Sequence, residues 1–228
     1  MSLYTQDFET GTNGSAFTWD TLANGAGAVC ANDQTAHGTL SIKCNDDNSY
    51  QYVQKNLPSA VSSVAIRYYI RFSASNTTAE ADDLKTYPDT TSFASQGPKI
   101  YRVSNGKMRL VDSTGATVWT SAVAPSVNTW YRVELLMIST GTGTAQFRIA
   151  YYLLDSTSAI EDVTSAATFT SPTIQSAHFG KVVTSAFTPS GSSTWFDDLA
   201  VQDAPSGQLI GPVPLPIVAG WLIGGIAW

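Results

Sequence analysis

The stretch Gln96-Gly97-Pro98-Lys99-Ile100-Tyr101-Arg102 sets a lysine, a tyrosine and an arginine within four positions. Elimination from an acidic sugar needs a base, often tyrosine or histidine, and a cation that neutralises the carboxylate. Such residues are also ordinary on the exposed face of a strand, and the stretch reads as one. Glycoside hydrolysis needs two carboxyl groups flanking one bond. The chain has four glutamates, Glu9, Glu80, Glu134 and Glu161, and no two fall close together on one strand. It has two histidines, His37 and His178, and no nucleophile elbow, phosphate loop or histidine-rich metal motif. On these grounds the chain is expected to bind or build rather than to catalyse.

The segment Trp195-Phe196-Asp197-Asp198-Leu199-Ala200-Val201 sets two acids in an apolar run. On a regular strand Asp197 shares a face with Trp195, Leu199 and Val201, and Asp198 with Phe196 and Ala200. One carboxylate then points at apolar neighbours and needs a partner. A structural calcium held by Glu9, Asp197 and Asp198, with Asp7 or backbone carbonyls, is one solution. An arginine or a hydrogen-bonded loop closure is the other. Cys30 and Cys44 flank a turn expected near His37, so they form either a cross-strand disulfide or two reduced buried thiols.

The elements that would position these groups are strands. Val64 to Phe72 alternates, with Val64, Ile66, Tyr68, Ile70 and Phe72 on one face and Arg67 and Arg71 on the other. Trp130 to Ile138 and Gln146 to Leu154 alternate too, the latter with Phe147, Ile149, Tyr151 and Leu153 together. Shorter strands are expected at 39–44, 50–55, 99–103, 108–112, 117–120, 179–183 and 195–202. Ser104-Asn105-Gly106-Lys107 and Asp112-Ser113-Thr114-Gly115 read as tight turns, and Thr140-Gly141-Thr142-Gly143 as a link between long strands. Residues 75–86 are expected to hold one short turn of helix in a loop. Many short strands with turn signals between them predict an all-β, two-sheet antiparallel jelly-roll sandwich.

Of 228 residues, 43% are apolar, enough for a core, but only 13% are charged, about half the usual share. The net charge is −6 with no basic run, which excludes binding to nucleic acid through its phosphates. Met1-Ser2-Leu3-Tyr4 leads into polar residues, so no signal peptide is expected.

After Asp203 the character changes. Residues 204–228 carry no charge, and Pro212, Pro214 and Pro216 force an extended path. The chain then runs through Ile217, Trp221, Leu222, Ile223 and Trp228. A membrane span needs about 20 apolar residues, but three prolines interrupt the first half of this stretch and no basic residue flanks it. We therefore divide the chain into a sandwich, 1–203, and a C-terminal arm, 204–228. Pro212, Pro214, Pro216, Trp221, Leu222, Ile223 and Trp228 are the expected contacts with a neighbouring subunit. Folding back on its own sandwich is the alternative. Burying two Trp, three Ile and a Leu would contribute on the order of 10 kcal/mol before ordering costs.

Four motifs in order carry a resemblance. They are Asp7-Phe8-Glu9-Thr10-Gly11, Gly38-Thr39-Leu40-Ser41-Ile42, Asn128-Thr129-Trp130-Tyr131-Arg132-Val133-Glu134-Leu135 and the Trp195 to Val201 segment. Together, over about residues 4–203, they resemble the concanavalin A-like, laminin-G-like jelly rolls. In particular they resemble those of tailed-phage virion proteins, such as minor tail or capsid decoration proteins. The resemblance implies adjacent first and last strands, frequent carbohydrate binding, and in some members a structural calcium. It implies a non-catalytic adhesion protein on the virion surface, made in the host cytoplasm. The arm would meet other virion proteins and copies of itself, and the domain would meet cell-surface glycan. Tyr69, Trp119 and Tyr152 are the candidate sugar-stacking rings. A stand-alone carbohydrate-binding module, or a polysaccharide lyase or glycoside hydrolase of the same fold, is the alternative.

Overall fold

The computed structural model describes residues 2–20, 26–45, 50–75, 81–90, 97–141, 143–169, 173–182, 191–203 and 205–214. Among them every regular element is a strand. The first sheet runs in the order β13 (Ala159–Phe169), β12 (Gly143–Leu153), β11 (Tyr131–Gly141), β6 (Ser63–Phe72), β15 (Ser193–Asp203), β4 (Ser41–Asn45) and β3 (Val29–Ala31). β1 (Leu3–Gln6) pairs with β15, so the first and last strands are adjacent. The second sheet runs β10 (Thr117–Thr120), β9 (Met108–Val111), β8 (Lys99–Arg102), β7 (Ala81–Tyr87), β14 (Ile174–Lys181), β5 (Gln51–Val61) and β2 (Ala26–Gly27). All pairings are antiparallel except the short one between β2 and β5. This is the expected jelly-roll sandwich.

Alternation explains how the sheets stack. Val64, Ile66, Tyr68, Ile70 and Phe72 of β6 all enter the core, with Tyr131, Val133, Leu135 and Met137 of β11 and Phe147, Ile149 and Tyr151 of β12. Val53, Leu84, Ile100, Leu110 and Phe179 face them from the second sheet. Leu153 departs from its expected place: it closes β12 and is 52% exposed, beyond the last core residue. The turn at Asn105-Gly106 forms as expected, with Gly106 at φ 77° and its N–H donating to the Val103 carbonyl.

Two local expectations change, and of the two readings of the cysteines the reduced one holds. Residues 81–87 form β7, a central strand of the second sheet, and not a helical turn; Leu84 packs inward between polar neighbours. Residues 76–80 lie outside the described residues. Cys30 pairs opposite Ile42, so Cys44 is two positions out of register, and both thiols are free and buried. The β15 segment does not alternate strictly. A bulge lies between Asp197 and Ala200, and Asp198 has φ 44°. Phe196, Leu199 and Val201 all reach the core, and neither acid shares their face.

Candidate functional site

The outer face of the second sheet carries a row built from four strands. Gln54 on β5 pairs with His178 on β14, His178 with Lys85 on β7, and Lys85 with Lys99 on β8. Each is set there by an inward neighbour, Val53, Phe179, Leu84 and Ile100, which anchors its strand in the core. Tyr52 and Tyr87 flank the histidine. The Tyr52 ring stacks on His178 at 4.9 Å and 6°, and the Tyr87 ring lies at 4.6 Å and 46°. One row further along β8, Tyr101 lies beneath Lys99 and Arg109, whose cations are 4.7 and 6.0 Å from its ring.

The row is closed in. Tyr52, Gln54 and His178 have no exposed surface, and Lys85 has 7%. Burial, and then the charge of Lys85, push His178 down to about 3. The ring is therefore neutral at ordinary pH. Its Nε2 lies 3.3 Å from Ser176 Oγ. Lys85 Nζ points along the same face, 3.5 Å from the Val182 carbonyl. A neutral imidazole, phenolic hydroxyls and lysine cations on one face are the group types that elimination from a uronate uses.

The Lys99, Tyr101, Arg102 stretch is thus split by the pleat. Lys99 and Tyr101 face outward near the row. Arg102 faces inward, where its Nε donates to Asp83 at 3.0 Å and its Nη2 to Thr194 Oγ1 at 2.8 Å. It also lies over the Phe72 ring. Sequence reasoning missed His178, Lys85, Gln54 and Tyr52 as a group.

The first sheet's outer face holds a different network. His37 bridges two carboxylates: Nε2 lies 2.8 Å from Asp155 Oδ2, and Nδ1 meets Asp198. Burial opposes its charge, yet the two acids hold its pKa above the usual value. Tyr69 donates to Asp155 Oδ1 at 2.7 Å. Arg132 pairs with Glu134 at 2.8 Å, both nearly fully buried. Residues 205–214 cross this face as a strap without adding a strand. The Gly211 N–H donates to Glu134 Oε2 at 2.8 Å, Val213 N–H to Tyr69 Oη at 3.1 Å, and Arg67 Nη1 to the Gly211 carbonyl at 3.0 Å. A cleft of about 220 Å³ beside the strap is lined by Arg67, Asp198, Val213 and Pro214. It is smaller than the roughly 300 Å³ at which ligand sites usually begin, so it does not suit a polymer.

These contacts account for the other expected sites. Glu9 accepts from Thr39 N, Thr39 Oγ1 and Leu40 N. Burial works against its ionisation, but these bonds hold its pKa below the usual value. Asp197 accepts from the amides of Ala36, His37 and Asp198. Burial and the Asp198 charge nevertheless push it up to about 8. Glu9, Asp197 and Asp198 thus spend oxygens on backbone amides and His37. No three acidic, histidine or cysteine groups among the described residues are gathered as for a metal ion. Of the proposed stacking rings, Tyr69 is fully buried under its hydrogen bonds. Tyr152 is 8% exposed beneath Arg132, and Trp119 sits in the core with Nε1 donating to Glu161. They form no common platform. Pro212 and Pro214 lie on the chain's own first sheet, while Pro216, Trp221, Leu222, Ile223 and Trp228 lie outside the described residues.

No protein-family model matches the sequence, and no curated protein matches it. Solved structures do match in fold. An endo-β-1,4-glucuronan lyase from the fungus Trichoderma reesei superposes with a TM-score of 0.60 at 12% identity, over 88% of this chain and 94% of that one. The cellulose-induced protein Cip1 gives 0.59 at 16% identity, over 92% and 100%. An alginate lyase from a Chlorella virus gives 0.54 at 9% identity, over 77% and 89%. The likeness supports the concanavalin A-like fold and brings nothing to the virion context.

It also corrects the expectation that the chain does not catalyse. That expectation rested on the absence of paired carboxylates, which hydrolysis needs. Two of these neighbours are lyases, and elimination needs a base, a proton donor and a cation instead. The described face supplies those three kinds of group on the framework that the neighbours share.

Proposed function

We propose that this chain is a polysaccharide lyase that cleaves a uronate-containing glycan by β-elimination on the outer face of the second sheet. The row Gln54, His178, Lys85 and Lys99, flanked by Tyr52 and Tyr87, carries this reading. Lys85 and Lys99 bind the carboxylate and stabilise charge that develops beside it. Neutral His178, which has no exposed surface until substrate takes its place against the row, then takes the C5 proton. The electrons form the C4–C5 double bond and break the bond from C4 to the glycosidic oxygen. A tyrosine hydroxyl, from Tyr52 or Tyr87, returns a proton to that oxygen. The proton then returns from His178 to the tyrosine, whose ring lies against the imidazole. The test is incubation with glucuronan and alginate, following ultraviolet absorbance of the unsaturated product end. Product that disappears in His178→Ala and Lys85→Ala, with the fold intact, is expected. No product from either polymer would sink the proposal.

A compatible second reading concerns attachment. The uncharged stretch 204–228 favours a role in fixing the domain to a larger particle, such as a virion. A chain lacking 215–228, which keeps the strap on the first sheet, would then stay folded and fail to assemble. Unchanged incorporation would refute it.

A further inference from the structure

Ser176 and His178 sit two residues apart on β14 and share its outer face. Ser176 Oγ lies 2.9 Å from the Asp89 carbonyl oxygen and 3.3 Å from His178 Nε2. A carbonyl only accepts, and a serine hydroxyl has one hydrogen. That hydrogen goes to Asp89. Toward His178 the hydroxyl oxygen can then only accept, so Nε2 must be the nitrogen that carries a proton. In a neutral imidazole the other nitrogen, Nδ1, keeps the lone pair.

The surroundings hold this arrangement. Ser176 and His178 are both fully buried, which keeps bulk water from substituting for either partner. The Tyr52 and Tyr87 rings clamp the plane of the imidazole. Lys85, directly across the strand pair, is an ammonium with no lone pair to draw a ring proton toward it.

We propose that Ser176 is a positioning residue that fixes His178 as the Nε2–H tautomer, so that Nδ1 is the atom that accepts the substrate proton. The role of Nδ1 rests on the lyase reading; the tautomer does not. The chain has two histidines, so the full-length protein labelled with isotopic nitrogen in histidine gives two imidazole signal sets. Near neutral pH, His178 is expected to show a protonated Nε2 and a lone-pair Nδ1. His37, set between Asp155 and Asp198, is expected to take up its second ring proton at a higher pH than a free histidine. Ser176→Ala should mix the His178 tautomers and lower kcat by roughly 10-fold to 100-fold, the range for a histidine that loses its orienting partner, with little change in KM. Ser176→Thr should restore both. A protonated Nδ1 with a bare Nε2 in the wild-type protein would overturn the proposal without needing any variant. So would a Ser176→Ala protein with tautomer and kcat unchanged. The expected tautomer without product from any acidic polysaccharide would uphold the Ser176 relay and overturn the lyase reading.

Discussion

The imidazole of His37 meets the carboxylate of Asp155 at 2.8 Å while its other nitrogen meets Asp198, and only a protonated ring can donate both ways. The pKa of His37 in the folded chain is raised above 6.5, so its stabilisation is complete below that value. It is lost as pH rises through the folded pKa. Asp155 runs the other way. Burial opposes its ionisation, but bonds from His37 and Tyr69 hold its pKa below 3.8, and its contribution fades as pH falls through the folded value. The clamp is therefore strongest in mild acid. The gap in thermal midpoint between wild type and His37→Ala should be wider near about pH 5 than near about pH 9. A gap that does not change with pH would contradict the clamp.

His178 has the opposite sign. Burial and Lys85 set it at about 3 in the folded chain against 6.5 in the unfolded one. Between those values the unfolded chain binds a proton that the folded chain refuses, so stability drops as pH falls through this window. The loss amounts to a few kcal/mol at roughly 1.4 kcal/mol per pH unit. Denaturant titrations in acid should show that His178→Gln removes much of it. In the lyase assay, the acid limb of kcat/KM should fall near about 3. In Lys85→Met the acid loss of stability should be smaller, because one of the two causes that lower the His178 pKa is gone.

Glu134 serves two partners at once, Arg132 and the Gly211 amide. Removing it strands a buried guanidinium. Glu134→Ala is expected to cost about 3–5 kcal/mol in equilibrium unfolding, the usual range for breaking one side of a buried pair. Limited proteolysis should also cut within 205–214 sooner. An Arg132→Met, Glu134→Leu double variant should recover part of the loss in stability but not the protection of the strap.

Gly180 lies two residues beyond His178 with φ 119°, and a Cβ there would come within 2.5 Å of the Gln51 carbonyl oxygen. Backbone would have to move, because neither atom belongs to a flexible side chain. Gly180→Ala is expected to lower stability by about 1–3 kcal/mol. It should also reduce product formation more than its stability loss explains, since β5 carries Tyr52 beside the same glycine. Normal kinetics in a folded Gly180→Ala protein would show that this close approach is not needed.

Much of the sandwich was legible because its central strands turn an unbroken apolar face to the core and carry charged side chains on the other. Val64 to Phe72 alternates strictly, and all five of its apolar positions reached the core. β7 was opaque for the opposite reason. Leu84 is the apolar anchor among Asp83, Lys85 and Thr86, so alternation gave almost no signal. The Asp197-Asp198 pair misled because a bulge adds one residue, and period-two reasoning fails across it. The candidate row could not be read as a motif. It takes one side chain from each of four strands spread between positions 54 and 178. Its one visible trace was Lys99 and Tyr101. Their true partners come from β7 and β14 across the sheet, and their neighbour Arg102 turns inward.

The strap fixes a direction of approach. Glu134 and Tyr69 hold residues 205–214 to one outer face of the sandwich, whereas the His178 row lies on the other. The core separates the two by the spacing of stacked sheets, roughly 10 Å. Anything joined to the chain beyond Pro214 therefore begins behind the row and not above it. A substrate that reached the row would come from the side away from anything held beyond Pro214, so tethering and cleavage need not compete for space.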